Sequence, residues 1–438
     1  MALMIEQSSA NRIGISIPKL DVPDVSLSEY IDEVFLRKSN PELPELSEPQ
    51  VVRHFTNLSA KNHHIDKNFY PLGSCTMKYN PKINDAMAML PHFSGIHPRQ
   101  GSQTVQGALK LIYDLEQMLI KITGMSRVTL QPSAGSQGEF VGLLIMQKYH
   151  KSKNNTKEYV IIPETAHGTN PASVILAGYK VRKVGTDSRG RVDMDDLRSK
   201  VDNDVAGMML TQPNTLGLFE DSISEVTSLI HSVDGLMYMD GANLNALIGL
   251  VYPSEMGFDI THINLHKTFS TPHGGGGPGS GPIAVVDKLV PFLPSPMINK
   301  VNEQYELEYD CSSIGSIHSF FGNFGILVRA FTYISLLGES GVKDMTRKAI
   351  LNANYLKVRL MKEFDVPYSE GSMHEFVISA KKQKDKGVKA LDIAKALLDY
   401  GFHSPTVYFP INVPEAMMIE PTESETKETL DEFVDVNV

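Results

Sequence analysis

A chain of 438 residues, 42% hydrophobic and 21% charged, has the composition of a soluble globular protein of two or three units, which excludes wholesale disorder and a fibrous repeat. Its 51 acidic side chains outnumber 41 basic ones, a net charge of −10 that gives no support to a nucleic-acid partner. No run approaches the roughly 18 apolar residues of a membrane span, the first residues lack both the apolar core of a signal peptide and the Arg-rich face of a transit peptide, and two cysteines, Cys75 and Cys311, can build neither a disulfide framework nor a tetrahedral zinc site, so a cytoplasmic chain without a metal is expected.

Residues 1–60 are rich in Pro, with charged helical pieces such as Leu27 to Arg37 and no core of their own. They read as an arm wrapping over another body. From 60 to 102 the text is loop-like, including Tyr70-Pro71-Leu72-Gly73-Ser74-Cys75-Thr76-Met77-Lys78-Tyr79-Asn80-Pro81; so long an irregular stretch is usually functional. A helix is predicted from Gln103 to Thr123, where Leu109, Ile112, Leu115, Leu119 and Ile122 share one face and Gly124 caps the end. Strand-like runs follow at Arg127–Leu130, Tyr159–Ile162, Lys180–Val184, Gly207–Thr211, Leu236–Met239, Ile260–Asn264 and Pro282–Val286. Helical patterns at Gln137–His150, Met194–Val201 and Ser222–Val233 alternate with them, and another, Gly325–Leu337, follows the last strand. Short apolar runs separated by helices predict an α/β domain whose sheet is mainly parallel and covered on both faces. After a long helical pattern at Val342–Phe364 the rhythm changes: strands at Phe376–Ser379 and Thr406–Phe409, helices at Leu391–Tyr400 and Glu425–Phe433. The expected organisation is an arm (1–60), a large domain (61–339) and a smaller C-terminal α+β domain (340–438).

Four segments carry chemistry. Lys267, in Asn264-Leu265-His266-Lys267-Thr268, directly follows a buried-looking strand. It is either a strand-end amine reaching to water or an amine nucleophile that forms a Schiff base with a cofactor aldehyde. Asp240, before Gly241, Ala242 and Asn243, ends another strand. It is either a turn-former or a ligand carboxylate at a parallel sheet's carboxyl edge, able to hold a protonated pyridine nitrogen. The loop Ser133, Ala134, Gly135 and Ser136 enters a helix, where backbone N–H groups either cap the helix or bind a phosphate. His167, in Ala166-His167-Gly168-Thr169-Asn170-Pro171, is either structural or a flat ring stacked on a cofactor. Gly274, Gly276 and Gly279 fit G-x-G-x-x-G by spacing, but they run through Pro278 into a strand and so are not a dinucleotide loop.

In order, phosphate loop, ring-stacking His167, pyridine-binding Asp240 and Schiff-base Lys267 match the layout of pyridoxal-phosphate enzymes of fold type I, the aspartate-aminotransferase type. Asn264–Phe269 followed by Pro272–Pro282 resembles, more closely, the signature of the glycine cleavage system P-protein family, the decarboxylating glycine dehydrogenases. So do Tyr70–Pro81, His167–Ser173, Asn214–Glu220, Phe321–Gly325 and Glu420–Glu423. The similarity runs over nearly the whole chain and matches the C-terminal half of the longer family polypeptide, which in some organisms is a separate subunit 2. The resemblance implies pyridoxal 5'-phosphate as cofactor, with Lys267 and His167 catalytic. It implies Ser133, Ala134, Gly135, Ser136, His167, Thr211, Asp240, Ala242, His266 and Lys267 as cofactor-binding, with Thr211 and His266 closing around the phosphate. It further implies decarboxylation of glycine, transfer of the aminomethyl group to the lipoyl group of the H-protein, and a heterotetramer with two copies each of this chain and a subunit 1. No Arg follows Arg359, so the small domain lacks the guanidinium that usually holds the carboxylate in aminotransferases of this fold, and loss of that carboxylate is favoured over transamination. The alternatives are another fold-type-I enzyme, an aminotransferase or amino-acid lyase, and a non-catalytic scaffold subunit.

Overall fold

The computed structural model of the protein describes residues 2–273 and 279–437, in two compact units, Met1–Lys67 and Asn68–Val438. In the first unit the helix expected from Leu27 to Arg37 is not formed. Only the 3-10 turns Leu27–Glu29 and Glu33–Phe35 appear, because the Asp32 carboxylate accepts from the Val34 N–H and starts a fresh turn in place of a continuous ladder. The α-helix of this unit is Glu48–Ser59, which the sequence reading missed. Gln50 accepts from the backbone N–H of Ser47 at 3.0 Å, and Pro49 sits in the first turn. Leu46 is the one buried side chain among residues 2–67.

In the second unit, β1 (Arg127–Thr129), β2 (Tyr159–Pro163), β3 (Lys180–Val184), β4 (Val205–Thr211), β5 (Leu236–Gly241), β6 (Ile260–Ile263) and β7 (Ile283–Val285) form one sheet in the order β1-β7-β6-β5-β4-β2-β3. β7 alone runs opposite to the other six strands. Every residue of β4, β5 and β6 is buried, as a sheet covered on both faces requires. Met237 and Met239 of β5 join one core with Leu115, Leu119 and Met208. Leu236 and Tyr238 point the other way, into a core with Val141, Leu143 and Met146. The parallel strands bring their carboxyl ends to one edge, and the β4–β5–β6 register places Thr211, Asp240 and His262 side by side.

A hairpin follows, β8 (Met297–Val301) and β9 (Gln304–Glu308). Both residues of its turn, Asn302 and Glu303, have positive φ, the requirement of a twisted two-residue hairpin. The turn contains no Gly, so it gave no signal in the sequence. The helical patterns flanking Gly338 form one segment, Phe324–Leu360, broken at that residue. The last sheet, β10 (Phe376–Ser379), β11 (Thr406–Val407) and β12 (Ala416–Ile419), is antiparallel in the order β10-β12-β11. It packs with Leu356, Leu360, Leu397 and Phe433 in a third core.

Gly217 ties the two sheets together. Its φ is +77°, and a Cβ there would stand 2.0 Å from the Glu375 carbonyl oxygen. Gly217→Ala is therefore expected to lower the chemical-denaturation midpoint, since the left-handed backbone costs an L-residue about 1–2 kcal/mol before the clash is counted. An unchanged midpoint would contradict this close approach.

Candidate active site

Asp240 is 1% exposed and ends β5 with both oxygens engaged. Oδ2 accepts from His167 Nδ1 at 2.8 Å and Asn170 Nδ2 at 3.0 Å. Oδ1 accepts from the Ala242 N–H at 2.9 Å and faces His262 Nε2 at 3.2 Å. Burial opposes ionisation, but the two imidazoles and these hydrogen bonds hold the carboxyl well below its usual range. A carboxylate only accepts, so His167 carries its proton on Nδ1 and presents Nε2 to the Ser74 hydroxyl. The same logic puts the His262 proton on Nε2, with Nδ1 accepting from Tyr238 Oη at 2.8 Å. Burial pushes the Tyr238 phenol well above its usual range, so it stays a donor.

Lys267 lies on the short helix Leu265–Thr268 that leaves β6. Its Nζ donates to the Ser74 carbonyl at 2.7 Å, and among the described residues no carboxylate is paired with it. Ser74 belongs to the Tyr70–Pro81 loop, which meets the C-terminal sheet: the Ser74 N–H donates to Glu375 at 2.6 Å, the Thr76 N–H to Glu420 at 2.8 Å, and Lys78 Nζ to Glu423 at 2.7 Å. Burial pushes the Glu420 carboxyl up to about 7 and raises Glu375 well above its usual value. Burial likewise raises the Cys75 thiol, with the Lys267 charge opposing, so Cys75 is a protonated thiol rather than a nucleophile.

The Ser133–Ser136 loop opens the helix Gly135–Ser152, whose first-turn N–H groups have no intrahelical acceptor. Ser133 is already tied to Gln137, which accepts from its N–H at 2.6 Å and its hydroxyl at 2.8 Å. Asn323 joins this loop to the glycine segment, donating to the Ser133 carbonyl at 3.3 Å and the Gly279 carbonyl at 2.6 Å. A Cβ at Gly279 would lie 3.2 Å from His266 Nδ1 and 3.6 Å from the Ser133 oxygen, so the loop, His266 and the glycine backbone line one cradle. Burial drives the His266 imidazole down to about 3 and that of His273 to about 4; both are neutral at pH 7.

This donor set fits pyridoxal phosphate. An amine without a counter-carboxylate, an ionised carboxylate and a helix N-terminus lined by small residues match its aldehyde, pyridine nitrogen and phosphate. Beside Lys267, the buried polar atoms Asn264 Oδ1, Thr268 Oγ1, Thr271 Oγ1 and His273 Nε2 lack hydrogen-bond partners among the described residues. A separate cavity of about 390 Å³, lined by Phe93, His97, Val105, Phe321 and Arg329 among others, contains none of these groups.

The expected residues therefore gather in two adjoining groups. His167, Asp240 and Ala242 form one, with Lys267 joined through Ser74. Ser133, Ala134, Gly135, Ser136 and His266 form the other. Thr211 Oγ1 stands 3.5 Å from His167 Nδ1, beside the first group; the sequence reading expected it to close around the phosphate. Of the glycine run, Gly274–Pro278 lie outside the described residues. The sequence reading missed Ser74, Asn170, Tyr238, His262, Glu375 and Glu420. Asn170 was within reach, three residues after His167 at the start of the helix Thr169–Leu176; His262 was too, because the strand register sets it opposite Asp240.

Two family models match the chain: glycine cleavage system P-protein over residues 21–306, and glycine dehydrogenase, C-terminal domain, over residues 345–438. A relative from Chloroherpeton thalassium, called probable glycine dehydrogenase (decarboxylating) subunit 2, is 56% identical across 99% of this chain and 89% of its own length. One of the same name from Bacillus licheniformis is 52% identical across 100% of this chain and 90% of its own. Among solved structures, the glycine decarboxylase (P-protein) of the glycine cleavage system, in inhibitor-bound form, superposes with a TM-score of 0.79 at 19% identity, covering 94% of this chain and 93% of that one. A Lactobacillus brevis glutamate decarboxylase superposes at 0.70 with 13% identity, covering 94% and 95%.

The Glu420 carboxyl gives a signed expectation. Its usual value is 4.5 and it is held at about 7 in the fold. The folded chain thus binds more protons than the unfolded one between these values, and the stability this group contributes is lost as pH rises through that window. Glu420→Gln should gain stability relative to the parent between about pH 4.5 and about pH 7. Thermal midpoints whose difference stays flat across that range would contradict it.

Proposed function

Because the chain belongs to the glycine cleavage system P-protein family, we propose that it is the catalytic subunit that decarboxylates glycine and passes the aminomethyl group to a lipoylated H-protein. The single observation that carries this reading is the convergence of Lys267, His167 and an ionised Asp240 at the carboxyl edge of β5 and β6. In balanced form, glycine and a lipoyl disulfide yield carbon dioxide and an aminomethyl thioether beside a new thiol. The disulfide is reduced, and no nicotinamide is required.

Pyridoxal 5'-phosphate, when bound, supplies a pyridine ring that takes up the electron pair left behind by the departing carboxylate. The chain's own residues do the rest. Lys267 supplies the amine that anchors the aldehyde. Asp240, kept anionic, would hold a proton on the ring nitrogen. His167, its Nδ1–H fixed by Asp240, would offer a flat imidazole to the ring. The Ser133–Ser136 loop and His266 supply phosphate donors, and Ala242 and Thr211 bound the Asp240 end. Arg359, the last guanidinium in the sequence, is engaged with Asp431 at 2.8 Å. With Arg359 so engaged and no Arg after it in the sequence, loss of the carboxylate is favoured over its retention in a transamination.

The relatives' name, subunit 2, supports a partner subunit 1. We read the assembly as two copies of each, in the cytoplasm; among the described residues no helix is long and apolar enough to cross a membrane. The first unit leaves Ile13, Ile15 and Ile17 more than 70% exposed, a stripe suited to cover by a partner. The test is glycine–bicarbonate exchange by this chain with subunit 1 and H-protein. Exchange is expected, and Lys267→Ala should abolish both it and borohydride fixation of the cofactor. Mass spectrometry that finds the reduced adduct on another lysine would refute the assignment.

A further inference from the structure

Ser74 is held in a conformation that serine rarely adopts, with φ at +62°. All three of its polar groups are spent. Its N–H donates to Glu375 Oε2 at 2.6 Å, its carbonyl accepts from Lys267 Nζ at 2.7 Å, and its hydroxyl meets His167 Nε2. Two residues on, Thr76 is also left-handed, with φ at +49°. Glu420 accepts from its N–H at 2.8 Å and from its hydroxyl at 2.6 Å.

The two carboxyl groups stand side by side for a topological reason. Glu375 immediately precedes β10, Glu420 immediately follows β12, and Phe376 pairs with Ile419. Both glutamates are 0% exposed, and their ligand oxygens lie within 4.8 Å of each other. Two acids are seldom buried this close without a use. Their oxygens are turned onto the backbone of the Ser74–Thr76 turn. The second oxygen of Glu375 accepts from Asn243 Nδ2 at 3.2 Å, three residues beyond Asp240. His374 beside them is not their counter-ion, since burial drives it down to about 3.

We propose that Ser74, clamped by Glu375, is a positioning residue for the reaction: its carbonyl aims the Lys267 amine and its hydroxyl fixes the His167 ring. The inference rests on the roles given above to Lys267 and His167. It makes the C-terminal sheet responsible for the geometry of an amine that belongs to the other sheet. A clamp with no bearing on the chemistry would change stability alone.

The test uses the full chain with subunit 1 and cofactor, comparing the parent with Glu375→Ala, Glu375→Gln and Ser74→Ala. Amide hydrogen exchange at Ser74 reads the clamp directly. Glu375→Ala should speed it about tenfold or more, the size expected when a buried N–H loses its acceptor, while Glu375→Gln, which keeps an acceptor oxygen, should stay within about threefold of the parent. Ser74→Ala keeps the carbonyl and loses the hydroxyl. It should lower kcat about tenfold or more with KM for glycine changed less than about threefold, and it should reduce the visible circular dichroism of the bound cofactor. Ser74→Ala also keeps the proposal falsifiable where Glu375→Ala does not fold. Unchanged exchange in Glu375→Ala, or unchanged kcat and dichroism in Ser74→Ala, overturns the proposal alone when the parent's cofactor is fixed at Lys267. A parent whose cofactor is fixed at another lysine overturns this proposal and the functional reading together.

Discussion

A carboxylate with no access to water must be kept charged by its neighbours, and Asp240 sets that demand on the whole site. Four groups answer it: His167, Asn170, His262 and the Ala242 N–H. They come from three parts of the chain, the β2-to-helix connection, the end of β5 and the middle of β6. None can be moved without leaving a buried charge underpaired, which is costlier than losing a surface ion pair. The demand propagates outward. Fixing the His167 tautomer leaves Nε2 for Ser74, and fixing the His262 tautomer leaves Nδ1 for Tyr238. A buried anion that carried no task would be replaced at little cost by an apolar side chain. Its retention with so many donors fits a group that must stay anionic next to a cationic ring.

The second sheet serves the first through hydrogen bonds rather than apolar packing alone. Glu375 and Glu420 hold the backbone of a loop whose carbonyl meets Lys267, while Lys78 is enclosed by Glu423, Asn245, the Thr268 carbonyl and Met345. Lys78 is 3% exposed; burial lowers its affinity for a proton, but Glu423 and Tyr333 together more than offset this and raise it. The result is a lysine locked as a structural cation only a few residues from the turn that meets Lys267, the amine assigned to chemistry. Their neighbours separate the two roles, with a carboxylate on one and a carbonyl on the other.

Much of this was legible in the sequence. The strands β2, β4, β5 and β6 announced themselves because parallel strands covered on both faces read as continuous apolar runs. Lys267, Asp240 and His167 stood out because chemistry-bearing side chains followed those runs beside small residues. What stayed hidden depends on distance along the chain. Ser74 and Glu375 are 301 residues apart, and Thr76 and Glu420 are 344 apart, so no local pattern could pair them. β12 was missed because Ala-Met-Met-Ile has no strand preference of its own and owes its conformation to its neighbours on either side. Thr211 was read as a phosphate neighbour, and the register sets it beside Asp240, a placement no local pattern in the sequence could show. The motif blocks at Tyr70–Pro81 and Glu420–Glu423 could be singled out from the sequence, but their meeting could not.

The central claim is that Asp240 exists to keep a pyridine nitrogen protonated, and the nitrogen itself can report this. Nitrogen-15 NMR of the assembled enzyme loaded with pyridoxal phosphate labelled at the ring nitrogen gives its protonation state directly. The account predicts the shielded signal of a protonated ring nitrogen in the parent and the deshielded signal of a neutral one in Asp240→Asn. A neutral nitrogen in the parent, or a signal indifferent to the substitution, would contradict it.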